Sequence, residues 1–169
     1  VQLRGYSPDT AAWLMATLGV SSAIAAFLVP GISDYVGRRP VMAISTFVGV
    51  ILPLGAMTFH GPALAMGAIF FVGWLFNGIF PMFMATVPTE SVNPRQVATA
   101  MGIVMCVGEI LGGVLAPSLA GKLSDIYGLQ APLWLLMGLA LAGGATALFL
   151  RETAPRIVAR QSALEGAIA

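Results

Sequence analysis

One acidic residue lies deep in an apolar run, and it is the first candidate for chemistry. Glu109 is the only charged residue between Val97 and Ala120. A charge at the centre of a membrane helix costs at least about 2.5 kcal/mol, so this carboxyl must face a cavity, find a partner or be protonated. Burial favours the neutral form of a carboxyl, which a proton-coupled carrier can use. The alternative is a glutamate that only locks helix packing, beside the close approach that Gly108 and Gly112 allow.

A second candidate is the dense group of charges and turn residues at positions 30–40, PGISDYVGRRP. It separates two nearly uncharged runs of about twenty residues, which predicts a tight connection between two membrane helices. Its aspartate is expected to accept hydrogen bonds from a helix start or to pair with an arginine, and its second glycine to permit a sharp turn. Its two arginines are expected to reach a later glutamate or lipid phosphates. The predicted set is Asp34, Gly37, Arg38, Arg39 and Glu90.

The composition makes lipid the expected solvent for most of the chain. Of its 169 residues, 58% are hydrophobic and 9% are charged, with a mean hydropathy of +0.91. A soluble domain carries roughly 25% charged residues. The net charge of +1 gives no case for nucleic-acid binding. The sequence has no metal-ligand spacing, no Ser/His/Asp set and no phosphate loop, so no enzyme activity, metal or cofactor is expected. The single cysteine, Cys106, is expected to be buried, and the single histidine, His60, to lie in a turn.

Five apolar stretches are long enough to be membrane helices. They lie at residues 11–29, 41–59, 63–87, 97–119 and 131–150, and a polar tail follows at 151–169. Each approaches the roughly twenty residues that cross about 30 Å of hydrocarbon. None alternates with a period of two, as barrel strands do. The sequence therefore predicts an all-α, multi-pass integral membrane protein with a single membrane domain.

Basic residues give these spans an orientation. Five spans place most arginines on one side, namely Arg38, Arg39, Arg95, Arg151, Arg156 and Arg160. Arg4 and Lys122 fall on the other. By the positive-inside rule, the carboxy end is predicted to be cytoplasmic and the amino end outside. The sequence has no initiator methionine and no signal-peptide pattern, so it is expected to be a piece of a longer protein.

The charged segment resembles the signature loop of the major facilitator superfamily, G-x-L-x-D-R-x-G-R-R/K. That loop lies between the second and third helices of the family and again between the eighth and ninth. The matching positions here are Ile32, Asp34, Gly37, Arg38 and Arg39. Pro30 replaces the first glycine and Tyr35 the first arginine, as in the degenerate copies that are usual in the second half of these proteins.

Three further stretches resemble the second half of the same family. Residues 90–95 are similar to the exit of the tenth helix, residues 98–117 to the eleventh helix, and Arg151-Glu152-Thr153-Ala154-Pro155 to the end of the twelfth. The resemblance implies helices eight to twelve, a partial six-helix bundle. Residues 121–128 also repeat the G-x-L-x-D-x-x-G pattern on the opposite side of the membrane, as inverted three-helix repeats would. Chance similarity between two Gly/Asp turns is the alternative.

The resemblance implies part of a secondary active transporter that works by alternating access. It would move a small polar solute, such as an organic anion or a sugar acid, with protons as symported ion, across a bacterial inner membrane. Its partners would be the solute, the proton, the lipid bilayer and the missing amino-terminal helices. The charged segment would latch the two halves in the outward-open state; the alternative is that its arginines only hold the connection inside.

The tenth helix of the family lines the central cavity, which implies roles for two residues of the third span. Asn77 and Trp74 become candidates for solute contact, by hydrogen bonding and by stacking. Pro81 frees backbone carbonyls, a device common where a helix lines a water-filled path. The alternatives are helix packing for Asn77 and burial in lipid or core for Trp74.

A different class of function stays open. Carriers of this family need roughly twelve helices, and five cannot enclose the path. The chain is then either completed by further helices, or it is a truncated membrane interaction protein that does not transport and associates through its glycine-rich helices. A membrane enzyme is the weakest reading, because no cluster of nucleophile, base or metal ligands is present.

Overall fold

The structure is a computed structural model that describes residues 5–168, and the side chains of residues 5–166. No strand occurs in this described part, and its helices follow one another with short connections. The α-helices are α1 Pro8–Val36, α2 Arg38–Val48, α3 Ile51–Thr58, α4 Ala63–Leu75, α5 Val87–Ser91, α6 Val97–Gly108, α7 Ala116–Tyr127, α8 Ala131–Ala147 and α9 Pro155–Ile168. Two π-helical segments, Met82–Thr86 and Glu109–Leu115, and a 3-10 turn at Pro94–Gln96 complete the set.

The helices have the lengths and compositions of membrane spans. Within the described residues, three continuous helices are long and apolar enough to cross a bilayer: Pro8–Val36, Arg38–Thr58 and Pro94–Tyr127. Two shorter apolar helices, Ala63–Leu75 and Ala131–Ala147, occupy the predicted third and fifth spans. The predicted fold class, an all-α membrane protein, is confirmed. The third span is interrupted at residues 76–79 and resumes as helix at residue 80, so the chain is already helical at Pro81.

The first helix is longer than the sequence predicts. Ser7 caps its start, where its Oγ accepts a hydrogen bond from the Thr10 amide at 3.2 Å. The helix then runs through Pro30 to Val36, so the predicted loop beginning at Pro30 is wrong. A membrane helix tolerates an internal proline when other groups satisfy the freed backbone. Pro30 removes the amide that would bond the Ala26 carbonyl. The Ser33 hydroxyl donates instead to the carbonyl of Pro30 itself, at 2.6 Å.

A glycine ends the helix at each of the two similar motifs. Gly37 has φ +113° and Gly128 has φ +86°, the region that favours glycine. Each donates its amide to a serine carbonyl four residues earlier, Ser33 or Ser124, at 2.9 Å. The fourth span, predicted to end at residue 119, is therefore longer than predicted as well, because α7 continues to Tyr127. The two copies share one helix-ending geometry, which is common at helix ends in general, so the repeat stays a prediction.

Small residues set the distances between the packed helices. α1 packs on α4, where the Ser21 hydroxyl donates to the Phe71 carbonyl at 2.6 Å. A Cβ added at Gly78 would overlap the Ala25 carbonyl. α2 packs on α8, where a Cβ at Gly144 would lie 2.8 Å from the Phe47 ring. The buried core between these helices consists of Ala25, Val29, Val41, Met42, Ala43, Ile79, Met82 and Ala147.

The fourth span stands apart from this core. Its helix Pro94–Tyr127 has no buried residue in its most apolar window. It contacts the rest of the bundle through α5, the π-helical segment Met82–Thr86 and α8. Cys106 is consequently exposed, so the prediction that this side chain is buried is wrong. Apolar composition predicted a membrane span correctly, but burial also requires a neighbouring helix.

Gly78→Ala should lower stability strongly. The new methyl would lie 2.6 Å from the Ala25 Cβ and overlap the α1 backbone, so α1 and α4 must separate. Overpacking of this kind costs about 1–3 kcal/mol. We expect a lower midpoint of thermal unfolding in detergent, followed by size-exclusion fluorescence. Gly138→Ala in α8 is the matched control, because no atom lies within 4 Å of its added Cβ; equal midpoints for the two variants would contradict the packing described here.

Candidate functional site

The predicted charged residues meet at one end of the bundle, around Arg38. The guanidinium Nη2 lies 2.6 Å from Asp34 Oδ1, one helical turn earlier in sequence. Nη2 also lies 2.9 Å from Glu90 Oε1, and Nε donates to Glu90 Oε2 at 3.2 Å. This fork-to-fork pairing is the strong, geometrically specific form of an arginine–carboxylate contact. Only 7% of the Arg38 side chain is exposed, against 48% for Asp34, so solvent reaches the cluster from the Asp34 side.

The remaining nitrogen of Arg38 is also satisfied. Nη1 donates to the Pro30 carbonyl at 3.1 Å and to the hydroxyl of Ser33, which is fully buried. The internal proline of α1 thus supplies an acceptor, because its carbonyl lies at the end of the helix that faces the arginine. Every nitrogen of the guanidinium has a partner, as a nearly buried charge requires.

A second carboxylate holds the backbone at the same point. Glu152 accepts the amides of Arg38 at 2.7 Å and Arg39 at 3.3 Å, the first two residues of α2. It also accepts the amides of Thr153 at 3.1 Å and Ala154 at 2.9 Å, just before α9. An anion at a helix start satisfies orphan amides and complements the helix dipole. Glu152 therefore joins the start of α2 to the segment that leads into α9.

Thr153 completes the connection between the two carboxylates. Its hydroxyl donates to Glu90 Oε2 at 2.7 Å. Four parts of the chain consequently meet in one hydrogen-bonded group: the end of α1, the start of α2, α5 and the segment before α9. We call this group the Arg38 cluster, consisting of Asp34, Arg38, Glu90, Glu152 and Thr153.

Gly37 makes the approach of Glu152 possible. A Cβ at this position would lie 2.5 Å from Glu152 Oε2 and 3.1 Å from its Cδ. The φ of +113° independently disfavours any other residue. The predicted sharp turn is present, and it consists of this single residue between α1 and α2.

The structure brings together four of the five residues predicted for this segment. Arg39 is the exception, because its side chain is exposed and only its amide contacts the cluster. Sequence reasoning missed Glu152, which accepts the amides of the arginine turn from more than a hundred positions away, and Thr153, which donates to Glu90. The only local signal was their place directly after the last span.

Glu109 lies away from the Arg38 cluster, on the fourth span. It is exposed and begins the π-helical segment Glu109–Leu115. Its Oε2 lies 2.9 Å from the place that a Cβ of Gly113 would occupy, so the carboxylate folds along its own helix. Within the described part of the chain it has no hydrogen-bond or ion-pair partner. π-helical turns are frequent at functional positions, because they loosen the backbone ladder.

Trp74 and Asn77 share a separate cleft. It has a volume of about 410 Å³ and lies between α2, α3, α4 and α8. Asn77 is exposed and Trp74 half-buried. Besides these two side chains, the lining is mainly apolar and includes Leu52, Pro53 and Leu136. Glu109 does not line this cleft, so the three candidates for a solute or proton path are not brought into one site.

The described residues hold no group of three His, Cys, Asp or Glu side chains that could bind a metal ion. The single histidine lies in the turn between α3 and α4, where His60 Nδ1 is 2.7 Å from the Thr58 carbonyl. The chemistry that the Arg38 cluster offers is reversible ion pairing: charged hydrogen bonds that water can replace if the helices separate.

Gly37→Ala should destabilise the protein more than Gly128→Ala. Both replacements put an L-residue at positive φ with extended ψ, a region almost restricted to glycine, at a cost of about 1–3 kcal/mol. Only the first also displaces the Glu152 carboxylate, because nothing lies within 4 Å of a Cβ at Gly128. Thermal unfolding midpoints of the two variants measure the difference. If Gly128→Ala were equally or more destabilising, Glu152 would not depend on the missing side chain of Gly37.

A double-mutant cycle should show strong coupling between Arg38 and Glu90. Arg38→Gln leaves Glu90 without its cation, Glu90→Gln leaves Arg38 with Asp34 as its remaining ion-pair partner, and the double variant removes both charges of the bidentate pair. We expect a coupling free energy of about 1–3 kcal/mol in reversible unfolding experiments. The control cycle pairs Arg39→Gln with Glu90→Gln and should be additive. Coupling of the same size in both cycles would mean that the bidentate contact is not the source.

Comparison with known proteins gives these features a family. The sequence model of the Major Facilitator Superfamily matches residues 2–167, nearly the whole chain. No curated protein and no solved structure matches the sequence. The match includes the five apolar spans, both glycine-ended motifs and the Arg38 cluster. The chain therefore belongs to the Major Facilitator Superfamily, a family of membrane transporters.

Proposed function

We propose that this chain is the carboxy-terminal, five-span part of a secondary active transporter that works by alternating access. The observation that supports this most directly is the Arg38 cluster, which joins four segments at one end of the bundle by charged hydrogen bonds. The solute is small and polar, of the class of organic anions or sugar acids, and it moves together with protons. Further helices on the amino-terminal side complete the path.

In this proposal the Arg38 cluster is a conformational latch. An apolar contact at the same place would resist hydration, whereas ion pairs can exchange their partners for water when helices separate. The exposure gradient supports opening from one side, since 48% of the Asp34 side chain is exposed, but only 19% of Glu90 and 7% of Arg38. Gly37 and the exposed Arg39 belong to the same latch.

Glu109 is the proposed proton carrier. It is the one acid in a long apolar stretch, and a permanent charge there is unfavourable in lipid. Its exposed position on the fourth span leaves the carboxyl open to a partner from the helices that complete the carrier. Protonation at one membrane face and release at the other would couple the proton gradient to the conformational change. Asn77 and Trp74 are the proposed solute contacts.

The proposed location is a bacterial inner membrane with the Arg38 cluster on the cytoplasmic side. Family membership and the apolar helices place the protein in a membrane. The orientation rests on the basic residues, most of which lie at the cluster end of the spans. The carboxy-terminal helix is then cytoplasmic and the amino end outside.

Glu109→Gln should separate proton movement from solute movement. The experiment uses the protein encoded by the whole natural reading frame, reconstituted in liposomes that contain a pH-sensitive dye. A panel of hydroxycarboxylates and sugar acids serves as solutes. We expect the variant to lose solute-dependent proton uptake to background but to keep solute counterflow, because a neutral glutamine mimics the protonated acid.

The experiment includes a control variant, and several outcomes would contradict the proposal. Cys106→Ala changes an exposed residue of the same helix and should leave both readouts unchanged. Proton uptake retained in Glu109→Gln would exclude Glu109 as the proton carrier. Saturable uptake by residues 1–169 alone would contradict the requirement for further helices, and absence of transport in every context, with stable self-association, would favour the membrane interaction protein.

A further inference from the structure

The acidic residues at the cytoplasmic end are already used inside the protein. Asp34 and Glu90 are paired with Arg38, and Glu152 is occupied by backbone amides. These are the acids closest to the arginine-rich segments. They leave little negative charge for the other arginines at this end.

Four exposed arginines around the Arg38 cluster consequently have no acid partner in the described part of the chain. The amide of Arg39 contacts Glu152, and Arg151 directly precedes that residue. Arg156 and Arg160 lie on α9, and the Arg156 guanidinium lies 4.4 Å above the Tyr35 ring. The set is Arg39, Arg151, Arg156 and Arg160, all exposed.

The carboxy-terminal helix α9 has the side-chain arrangement of an interfacial helix. At 100° per residue, Arg156 and Arg160 lie about 40° apart, and Leu164 and Ile157 follow on the same side. Glu165, the one acid of the described part of α9, lies on the far side. Basic residues beside apolar ones let a helix place aliphatic side chains at the acyl boundary while the charges meet the headgroups.

The contact of α9 with α1 holds it at the level of the membrane surface. α9 packs on α1 through Arg156 and Tyr35, and Tyr35 lies at the end of the first span with 68% of its surface exposed. Tyrosines at span ends typically lie among lipid headgroups. A tyrosine at this depth would bring Arg156, which lies over its ring, to the level of the lipid phosphates.

We propose that α9, together with Arg39 and Arg151, is a binding surface for anionic phospholipids. Guanidinium groups bind phosphate oxygens bidentately, and the excess of positive charge on this surface matches the negative charge of such lipids. Ile157 and Leu164 extend into the region below the headgroups. The inference requires a membrane protein with this end at a lipid surface, and it is independent of solute and proton coupling.

Native mass spectrometry of the purified, delipidated protein tests the proposal. The probes are phosphatidylglycerol and phosphatidylcholine with identical acyl chains, titrated separately. We expect clear preference for phosphatidylglycerol in the wild type, and a loss of about fivefold in affinity for each arginine removed in R156Q/R160Q. Arg95→Gln is the matched control, an exposed arginine at the same end but outside this surface, and should change affinity little.

A charge-preserving variant keeps the test decisive if removal of the arginines loosens α9. R156K/R160K should retain most of the preference for phosphatidylglycerol, because the positive charges remain. Hydrogen exchange should also show slower exchange of the α9 amides in nanodiscs with phosphatidylglycerol than in nanodiscs of phosphatidylcholine alone. Slower exchange that persists in R156Q/R160Q would contradict the proposal.

Three results would overturn the inference. The first is equal affinity for the two lipids in the wild type. The second is an R156Q/R160Q variant with wild-type affinity, or a lysine variant as weak as the glutamine variant. The third is full displacement of phosphatidylglycerol by excess inorganic phosphate, which would mean that the surface recognises a free anion and not a membrane.

Discussion

A permanently charged side chain, nearly buried at the end of a membrane bundle, controls the local structure. Arg38 cannot become neutral by losing a proton, so its charge must be paired and each of its donors satisfied. The acceptors come from α1 and α5, and they include the carbonyl that Pro30 exposes. Meeting this requirement holds together the ends of helices that are far apart in sequence. Glu152 extends the same group to the backbone of α2 and the approach to α9.

The sequence predicted which segments span the membrane better than it predicted where the helices end. Apolar stretches of membrane length predicted the spans, because lipid leaves few alternatives to a helix. Proline and glycine were overvalued as helix breakers at residues 30–36 and 121–127, where the helices continue to the glycine of positive φ. The local sequence contains the same proline and glycine residues in either case, so it does not decide between a loop and a helix that ends at a glycine cap. The helices end at Gly37 and Gly128, where the backbone takes a positive φ.

The candidate site was predictable as far as the charges of residues 30–40 and one later glutamate. Asp34, Arg38 and Glu90 could be grouped, because a buried arginine needs acids and few acids are available. Glu152 could not be assigned, since its contact crosses 114 positions and depends on how the fifth span packs. The predicted burial of Cys106 was wrong for the same reason. Its apolar surroundings indicate a membrane span, whereas burial depends on which helix packs against that span.

The spans divide into a packed group and one exposed helix. The first, second, third and fifth spans contact one another through glycine, alanine and serine, which permits close backbone approach. The fourth span presents Glu109 and Cys106 on its surface instead. A transporter that changes conformation needs helices that move together as a rigid group and helix surfaces that can change their contacts. The close packing fits the first requirement and the fourth span fits the second.

The connection between α1 and α2 is shorter than the connections between helices at the opposite end of the bundle. At the cluster end, the single residue Gly37 joins the 29 residues of α1 to α2, and Arg38 of α2 is bonded back to Asp34 and to the Pro30 carbonyl of α1. At the opposite end, residues 59–62 separate α3 from α4 and residues 128–130 separate α7 from α8. A tilt of α1 is therefore expected to tilt α2 by a similar amount. The connections of four and three residues at the opposite end leave more freedom to the helices that they join.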